Sequence, residues 1–314
     1  MYDAIIIGAR CAGSPTAMLL ARQGYRVLLV DRATFPSDTI STHLIWPPGI
    51  ACLKRWGLLD KVINSNCPPQ PGFAFDFGDF SLLGNPPPID GAAESYMPRR
   101  RYLDKILVDA AVEAGVELRE GFTVQEFLWD GDRITGIRGQ GQGGSLVDEK
   151  ASIVIGADGM RSLVAGAVQA PAYNARPPLT CWYYSYFSGT AVETPTFFPR
   201  ELRSFGGMPT NDGLVCIVVG WTNGEFHQFR SDIEGNFMRT LDLSPDFSER
   251  VRQGKREERF IGTADLPNFF RKPYGPGWAL VGDAGYHKDP MTAQGITDAF
   301  RSAELLAEAV DDGL

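Results

Sequence analysis

The chain has 314 residues, 38 acidic and 30 basic side chains and a net charge of −8, so it can bury a sizeable core as one large or two moderate domains. The acidic balance argues against a nucleic-acid partner, which needs a basic patch that Arg99-Arg100-Arg101 is too short to supply. Five cysteines without C-x-x-C spacing, no basic leader and no apolar run of membrane-spanning length predict reduced thiols, no membrane span and a cytoplasmic location.

The first 31 residues organise the rest. Ala4-Ile5-Ile6-Ile7 reads as a short buried strand that stops at Gly8. Gly8-Ala9-Arg10-Cys11-Ala12-Gly13 follows, then a helix with Pro15 in its first turn and Gly24 at its end, then a strand Val27 to Val30 tipped by Asp31. A glycine turn of this kind gathers unpaired backbone N–H groups and the positive end of a helix dipole, which suits a pyrophosphate. An acid about 20 residues on can accept from a ribose hydroxyl. The unit therefore reads as a dinucleotide site, with an ordinary strand-helix-strand unit as the alternative. Arg10 stands where the usual G-x-G-x-x-G pattern has its second glycine, so its side chain swings aside or pairs with a phosphate, or the motif is degraded.

Beyond Asp31 a turn-rich loop contains His43, which has no partner at metal-ligand spacing and reads as a loop histidine; no metal site is expected. A short helix through Ile50 and Leu58 follows. Two proline clusters then bracket Phe73-Ala74-Phe75-Asp76-Phe77, an alternating run that predicts a hairpin leaving the nucleotide domain. Arg100 to Ala114 has the apolar spacing of an amphipathic helix closed by Gly115, and residues 123–138 read as a hairpin turning at Asp130-Gly131-Asp132.

Two further strand-to-glycine junctions occur, Ala151 to Gly159 and Trp278 to Ala284. The first leads into a helix over 160–167. The second leads through Pro290 and Gln294-Gly295-Ile296 into a last helix over 297–310, whose N-terminal amides would face whatever lies above the sheet. Between the junctions, residues 178–269 are strand-like and aromatic, interrupted by a helix over 228–241. Such aromatics serve equally as core or as the lining of a substrate pocket.

Three such junctions in this order resemble the flavin-dependent monooxygenases of the p-hydroxybenzoate hydroxylase type, whose relatives include flavin-dependent halogenases and geranylgeranyl reductases. The resemblance spans essentially the whole chain. It implies an α/β fold: a Rossmann-like FAD-binding domain over 1–75, 98–177 and 270–314, with an inserted β-rich substrate domain over 76–97 and 178–269. It implies that Gly8, Arg10, Ala12 and Gly13 form the FAD pyrophosphate loop and that Asp31 with Arg32 meets the adenosine ribose. Arg100 would approach the phosphates, Asp158 would lie near FAD and NAD(P)H, and Gly282 and Asp283 would hold the ribityl end. Pro290, Gly295 and Ile296 would lie beside the flavin pyrimidine.

The resemblance further implies FAD reduced by NADH or NADPH and, with O2, hydroxylation or epoxidation of a hydrophobic or aromatic small molecule through a flavin C4a-hydroperoxide. Tyr184, Tyr186, Phe205 and Trp221 are the pocket candidates. The alternatives are an FAD-dependent reductase of isoprenoid double bonds and a non-catalytic flavoprotein or shortened form, since family members usually continue with further helices past the position of Leu314. A halogenase ranks below these, because Trp182-Tyr183-Tyr184 does not supply a Trp-x-Trp-x-Ile-Pro signature. Tyr286, Thr292 and Thr297 also depart from the residues usual at their positions.

Overall fold

The computed structural model describes residues 1–313. The β-branched run makes β1 (Tyr2–Ile7), and α1 (Gly13–Arg22) reverses at Gly24, which takes a φ of +96°. Then come β2 (Val27–Val30), α2 (Pro47–Trp56), which starts on two prolines and stops at the left-handed Gly57, and α3 (Leu59–Ile63). Four short strands follow, β3 (Pro69–Gln70), β4 (Phe73–Asp76), β5 (Ser81–Gly84) and β6 (Ser95–Tyr96). The amphipathic stretch forms α4 (Arg100–Glu113), followed by β7 (Glu117–Arg119), the hairpin β8 (Thr123–Asp130) and β9 (Arg133–Gln140), and the long β10 (Val147–Gly156).

Helix α5 (Leu163–Ala167) is shorter than the sequence suggests. Residues 158–162 are held as a turn instead, because the Asp158 carboxylate accepts from Leu163 N at 2.6 Å and Ser162 Oγ accepts from Ala165 N at 3.1 Å. Next come β11 (Ala172–Arg176) and then four strands of a second sheet, β12 (Thr180–Ser188), β13 (Thr196–Arg200), β14 (Arg203–Pro209) and β15 (Val215–Thr222). The single helix expected over 228–241 is two, α6 (Phe226–Ser231) and α7 (Ile233–Leu241), broken at Asp232, whose side chain caps Gly235 N. An unanticipated α8 (Pro245–Gln253) follows. The chain closes with β16 (Lys255–Arg256), β17 (Ile261–Thr263), β18 (Asn268–Arg271), β19 (Tyr274–Gly275), β20 (Trp278–Leu280), β21 (Tyr286–His287) and α9 (Gly295–Gly313).

One sheet runs β19-β20-β10-β1-β2-β7, with β20, β10, β1, β2 and β7 mutually parallel. β10 serves two layers: Val147 to Lys150 pair with β9, while Ala151 to Gly156 pair with β1. Both faces are covered, which is why β1 and β2 are continuous apolar runs. Ala4, Ile6 and Leu29 pack under α1, α4 and α9 with Met18, Leu107 and Phe300, and Ile5, Leu28 and Val30 pack under Phe122, Ile137 and Val164.

The second sheet runs β16-β12-β15-β14-β13-β4-β5. β4 belongs to it through parallel pairing with β13, Thr196 opposite Ala74 and Phe197 opposite Phe75. The boundary expected after residue 75 therefore falls before Phe73. β18 pairs with β11 and β21, so the return boundary expected at 270 runs through a strand. Among the described residues, no helix is long and apolar enough to cross a membrane.

Candidate functional site

The three glycine junctions meet at the C-terminal ends of adjacent parallel strands. Ala157 N donates to Ile7 O at 2.8 Å, and Val281 N donates to Gly156 O at 2.9 Å. In an open parallel sheet this edge is where ligands bind. Gly8 has a φ of +102°, and a Cβ there would lie 2.4 Å from the Ala157 carbonyl oxygen. A Cβ on Gly13 would lie 1.7 Å from Gly8 O, so α1 enters directly against the turn. Gly282 (φ +61°) closes from the third junction, where a Cβ would meet Ala12 Cβ at 2.8 Å. Within this cradle the N–H groups of Cys11, Ala12 and Gly13 have no hydrogen-bond acceptor among the described residues. Unpaired amides at the start of a ten-residue helix form an anion site.

Asp31 sits directly after β2 and is oriented from both sides: Oδ2 accepts from Ala9 N at 2.7 Å and Oδ1 from Ala33 N at 2.8 Å. Each oxygen retains a second lone pair for a hydroxyl. Arg32, Ala33 and Thr34 line a cavity of about 610 Å³ shared with Gly121, Thr123 and Gln140 to Gly143, on the Asp31 side of the turn.

Arg10 does not reach toward the free amides. Its guanidinium pairs with the fully buried Asp104, donates to Ser37 Oγ at 3.0 Å and lies 5.1 Å from the centre of the Phe35 ring. Of the outcomes open for this side chain, these contacts match the first. Asp104 is a hub: its Oδ1 also accepts from Arg100 Nε at 2.9 Å and from the Cys11 thiol at 3.4 Å. The signal was present in the spacing, since Arg100 and Asp104 are one helical turn apart. Arg100 is thereby anchored beside Cys11, close enough to Asp283 to feel its charge.

The other two acids differ in their surroundings. Asp158 accepts from Leu163 N through Oδ2, while its buried Oδ1 has no partner, and burial pushes its carboxyl above the usual range. Asp283 is reachable by water yet closely surrounded by protein, as a group lining a slot would be. Burial raises its carboxyl and Asp298 adds to this, against His287 and Arg100. Arg271 ties their two junctions together by donating to Met160 O and Ala284 O, each at 2.9 Å. Pro290 opens a short turn capped by Asp289, Ala293 takes a φ of +51°, and α9 starts at Gly295. Gly295 is exposed, a Cβ on it would meet nothing within 4 Å and its N–H has no acceptor among the described residues, whereas Ile296 is buried.

The second sheet sorts the aromatic candidates by parity. Tyr184 and Tyr186 lie opposite Val218 and Cys216 and pack with Met97 and Met208 on the face toward the nucleotide unit. Phe205 lies opposite Val219, and Trp221 opposite Cys181, which puts both on the other face. There they pack with Phe229, Phe237 and Phe247 of the helical layer α6–α8, and Trp221 Nε1 donates to Thr240 Oγ1 at 2.8 Å. Phe205 and Trp221 are thus core, and their assignment to a pocket is corrected: with a side-chain period of two, even and odd positions of one strand cannot share a face. What joins the near face to the α9 loop is a set the sequence did not single out. Leu44, Phe73 and Ala293 form an apolar cluster edged by Trp46, Phe75 and Phe197. Trp46 straps it down, its indole N–H donating to Thr292 O at 3.0 Å and its backbone N–H to Thr297 Oγ1 at 3.1 Å.

These residues fit FAD. Unpaired amides occur where a pyrophosphate needs them, an oriented acid and a cavity where an adenosine needs them, and a bare glycine amide at a helix start at the far end. The comparisons agree. A digeranylgeranylglycerophospholipid reductase of Methanopyrus kandleri is 27% identical over 99% of this chain and 78% of its own length. A tryptophan 2-halogenase of Chondromyces crocatus is 26% identical over 98% of this chain and 60% of its own. The solved structure of a myxobacterial FAD-dependent halogenase, the chondrochloren halogenase CndH, superposes with a TM-score of 0.90 at 24% identity, over 99% of this chain and 74% of that one. The sequence profile described as FAD binding domain matches residues 1–192, more than half of the chain, and the protein accordingly belongs to that family as an FAD-dependent oxidoreductase.

Proposed function

We propose that the protein reduces a carbon–carbon double bond in a hydrophobic, isoprenoid-like molecule, with NADH or NADPH as the source of electrons. The observation that carries this reading is the apolar cluster of Leu44, Phe73 and Ala293 with Trp46, Phe75 and Phe197. Its centre is buried, but Trp46, Phe75 and Phe197 at its edge are partly exposed beside the loop that precedes α9, an aromatic rim that suits a chain without charge or hydrogen-bonding groups. The similarity to a reductase of geranylgeranyl lipids over nearly the whole chain supports the same reading.

FAD, when bound, would supply hydride chemistry. The protein's own part is to bind and orient. The amides of Cys11 to Gly13 would hold the pyrophosphate, Asp31 the adenosine ribose and Asp283 the ribityl chain. The amides at the start of α9 would favour negative charge on the ring by about 0.3–1 kcal/mol. The apolar cluster would exclude water from the reacting carbons.

Monooxygenation of an aromatic substrate is the second reading, favoured by Tyr184, Tyr186 and His43, which together give the near face of the sheet a polar aromatic corner. One experiment separates the two. FAD-loaded protein reduced by NADH or NADPH is mixed with geranylgeraniol without oxygen. The expected result is reoxidation of the flavin with a product heavier by one H2 per bond saturated. Reoxidation only on admitting O2, with a product heavier by one oxygen atom, would replace the first reading with the second.

A further inference from the structure

The free end of the second sheet carries apolar side chains that no part of the protein covers. β4 and β5 form a hairpin turning over Phe77 to Phe80, and β5 is the last strand, with no neighbour beyond it among the described residues. Ser81 to Gly84 are all exposed, Leu82 by 56% and Leu83 by 78%, and Phe80 on the turn by 57%. Phe77 and Phe80 stack on each other with ring centres 4.9 Å apart, and both remain exposed. The β13 to β14 turn stands beside this tip, since a Cβ on Gly78 would lie 3.9 Å from Arg200 Cζ, and it adds the exposed Leu202. A contiguous apolar patch of this kind marks an interaction surface.

Register and charge indicate the occupant. Leu82 lies opposite Phe75, and Phe75 opposite Phe197, so one apolar stripe runs from the hairpin to the aromatic rim beside the α9 loop. Leu83 lies opposite Ala74 and therefore projects from the other face. A protein partner packed on this sheet, a second copy included, would cover one face and leave the other in water. Hydrocarbon surrounds a protruding tip and takes up both faces. Of the charges at the two turns, Arg200 is held by Asp76 at 2.9 Å, while Asp79 and Glu201 have no cationic partner among the described residues. Their excess negative charge disfavours anionic lipid and suits the choline of a zwitterionic headgroup.

We propose that the β4 to β5 hairpin, with Leu202, docks on a zwitterionic lipid surface, its apolar side chains entering the boundary between headgroups and acyl chains. The docking stands apart from the choice of substrate; its use rests on the isoprenoid reading. With the hairpin in lipid, Leu82, Phe75 and Phe197 give a hydrocarbon chain an apolar path toward the α9 loop.

The test uses full-length protein loaded with FAD, sedimented with phosphatidylcholine vesicles. Wild type is compared with Phe80→Ser, with the double variant Leu82→Ser and Leu83→Ser, and with Leu305→Ser, an exposed leucine on α9 outside the patch. All these side chains are exposed, so melting temperatures should stay close to wild type. Wild type and Leu305→Ser are expected to bind the vesicles, the double variant at least tenfold more weakly and Phe80→Ser between. Phosphatidylglycerol vesicles should bind wild type more weakly than phosphatidylcholine. Wild type that does not sediment with phosphatidylcholine, or hairpin variants that sediment as wild type does, would overturn the proposal. So would self-association in sedimentation velocity that is lost in the double variant while vesicle binding is not, since the patch would then belong to a second copy. Vesicle binding that depends on the hairpin, without reduction of geranylgeraniol, would support the docking surface and overturn the substrate reading instead.

Discussion

Replacing Arg10 by glycine tests the whole description of the pyrophosphate loop, because it restores the usual glycine while removing an ion pair. Asp104 is fully buried and retains Arg100 at 2.9 Å, so the variant leaves no bare carboxylate. Breaking a buried pair costs about 3–5 kcal/mol. Arg10 is 24% exposed and Asp104 keeps its other partner, so the loss should be nearer 1–2 kcal/mol. The extra backbone freedom of glycine adds roughly 0.5–1 kcal/mol. Thermal unfolding of the FAD-free protein should therefore come down by about 3–6 °C, at roughly 2 °C per kcal/mol for a chain of this size. FAD affinity, read by flavin fluorescence on titration, should stay within about threefold, because the free amides of Cys11 to Gly13 are untouched. An unchanged melting temperature with FAD affinity reduced tenfold or more, about 1.4 kcal/mol, would show that the guanidinium serves the phosphates and that its pairing with Asp104 is incidental.

Gly8→Ala should do the reverse of Arg10→Gly. A Cβ 2.4 Å from Ala157 O, on a residue at φ +102°, adds strain of about 1–3 kcal/mol and prises the first two junctions apart, so FAD affinity should fall at least tenfold by the same titration. Trp221→Ala should destabilise by about 3–5 kcal/mol in urea unfolding while leaving the substrate KM unchanged; a raised KM would return Trp221 to the pocket.

His43 makes stability depend on pH. Its folded value of about 3 lies below the ordinary histidine value, so from about pH 6.5 down toward 3 the unfolded chain binds a proton that the folded chain does not. Stability is full above that window and is lost as pH falls through it, by up to about 1.4 kcal/mol per unit. Asp158 and Asp283, whose carboxyls are raised, act oppositely just above the ordinary carboxylate range, so the comparison must be with His43→Gln, which should show a flatter profile.

The nucleotide half was legible from residues 1–31 because its signals are local. A β-branched run, a glycine turn, a prolyl helix start and an acid at a strand tip each act within a few residues, and repeating the strand-to-glycine pattern at Gly156 and Gly282 pointed to one edge of one parallel sheet. The resemblance that implied FAD was carried by those residues. Tertiary structure decided what depends on distant partners: that β4 joins the second sheet, that Arg10 turns to Asp104 94 positions away, and that His43 meets Tyr186 across 143 positions. It also decided which aromatics face the nucleotide unit, since composition makes Tyr186 and Phe205 alike, and only the register of β12, β14 and β15 sends one toward that unit and the other into the helical layer.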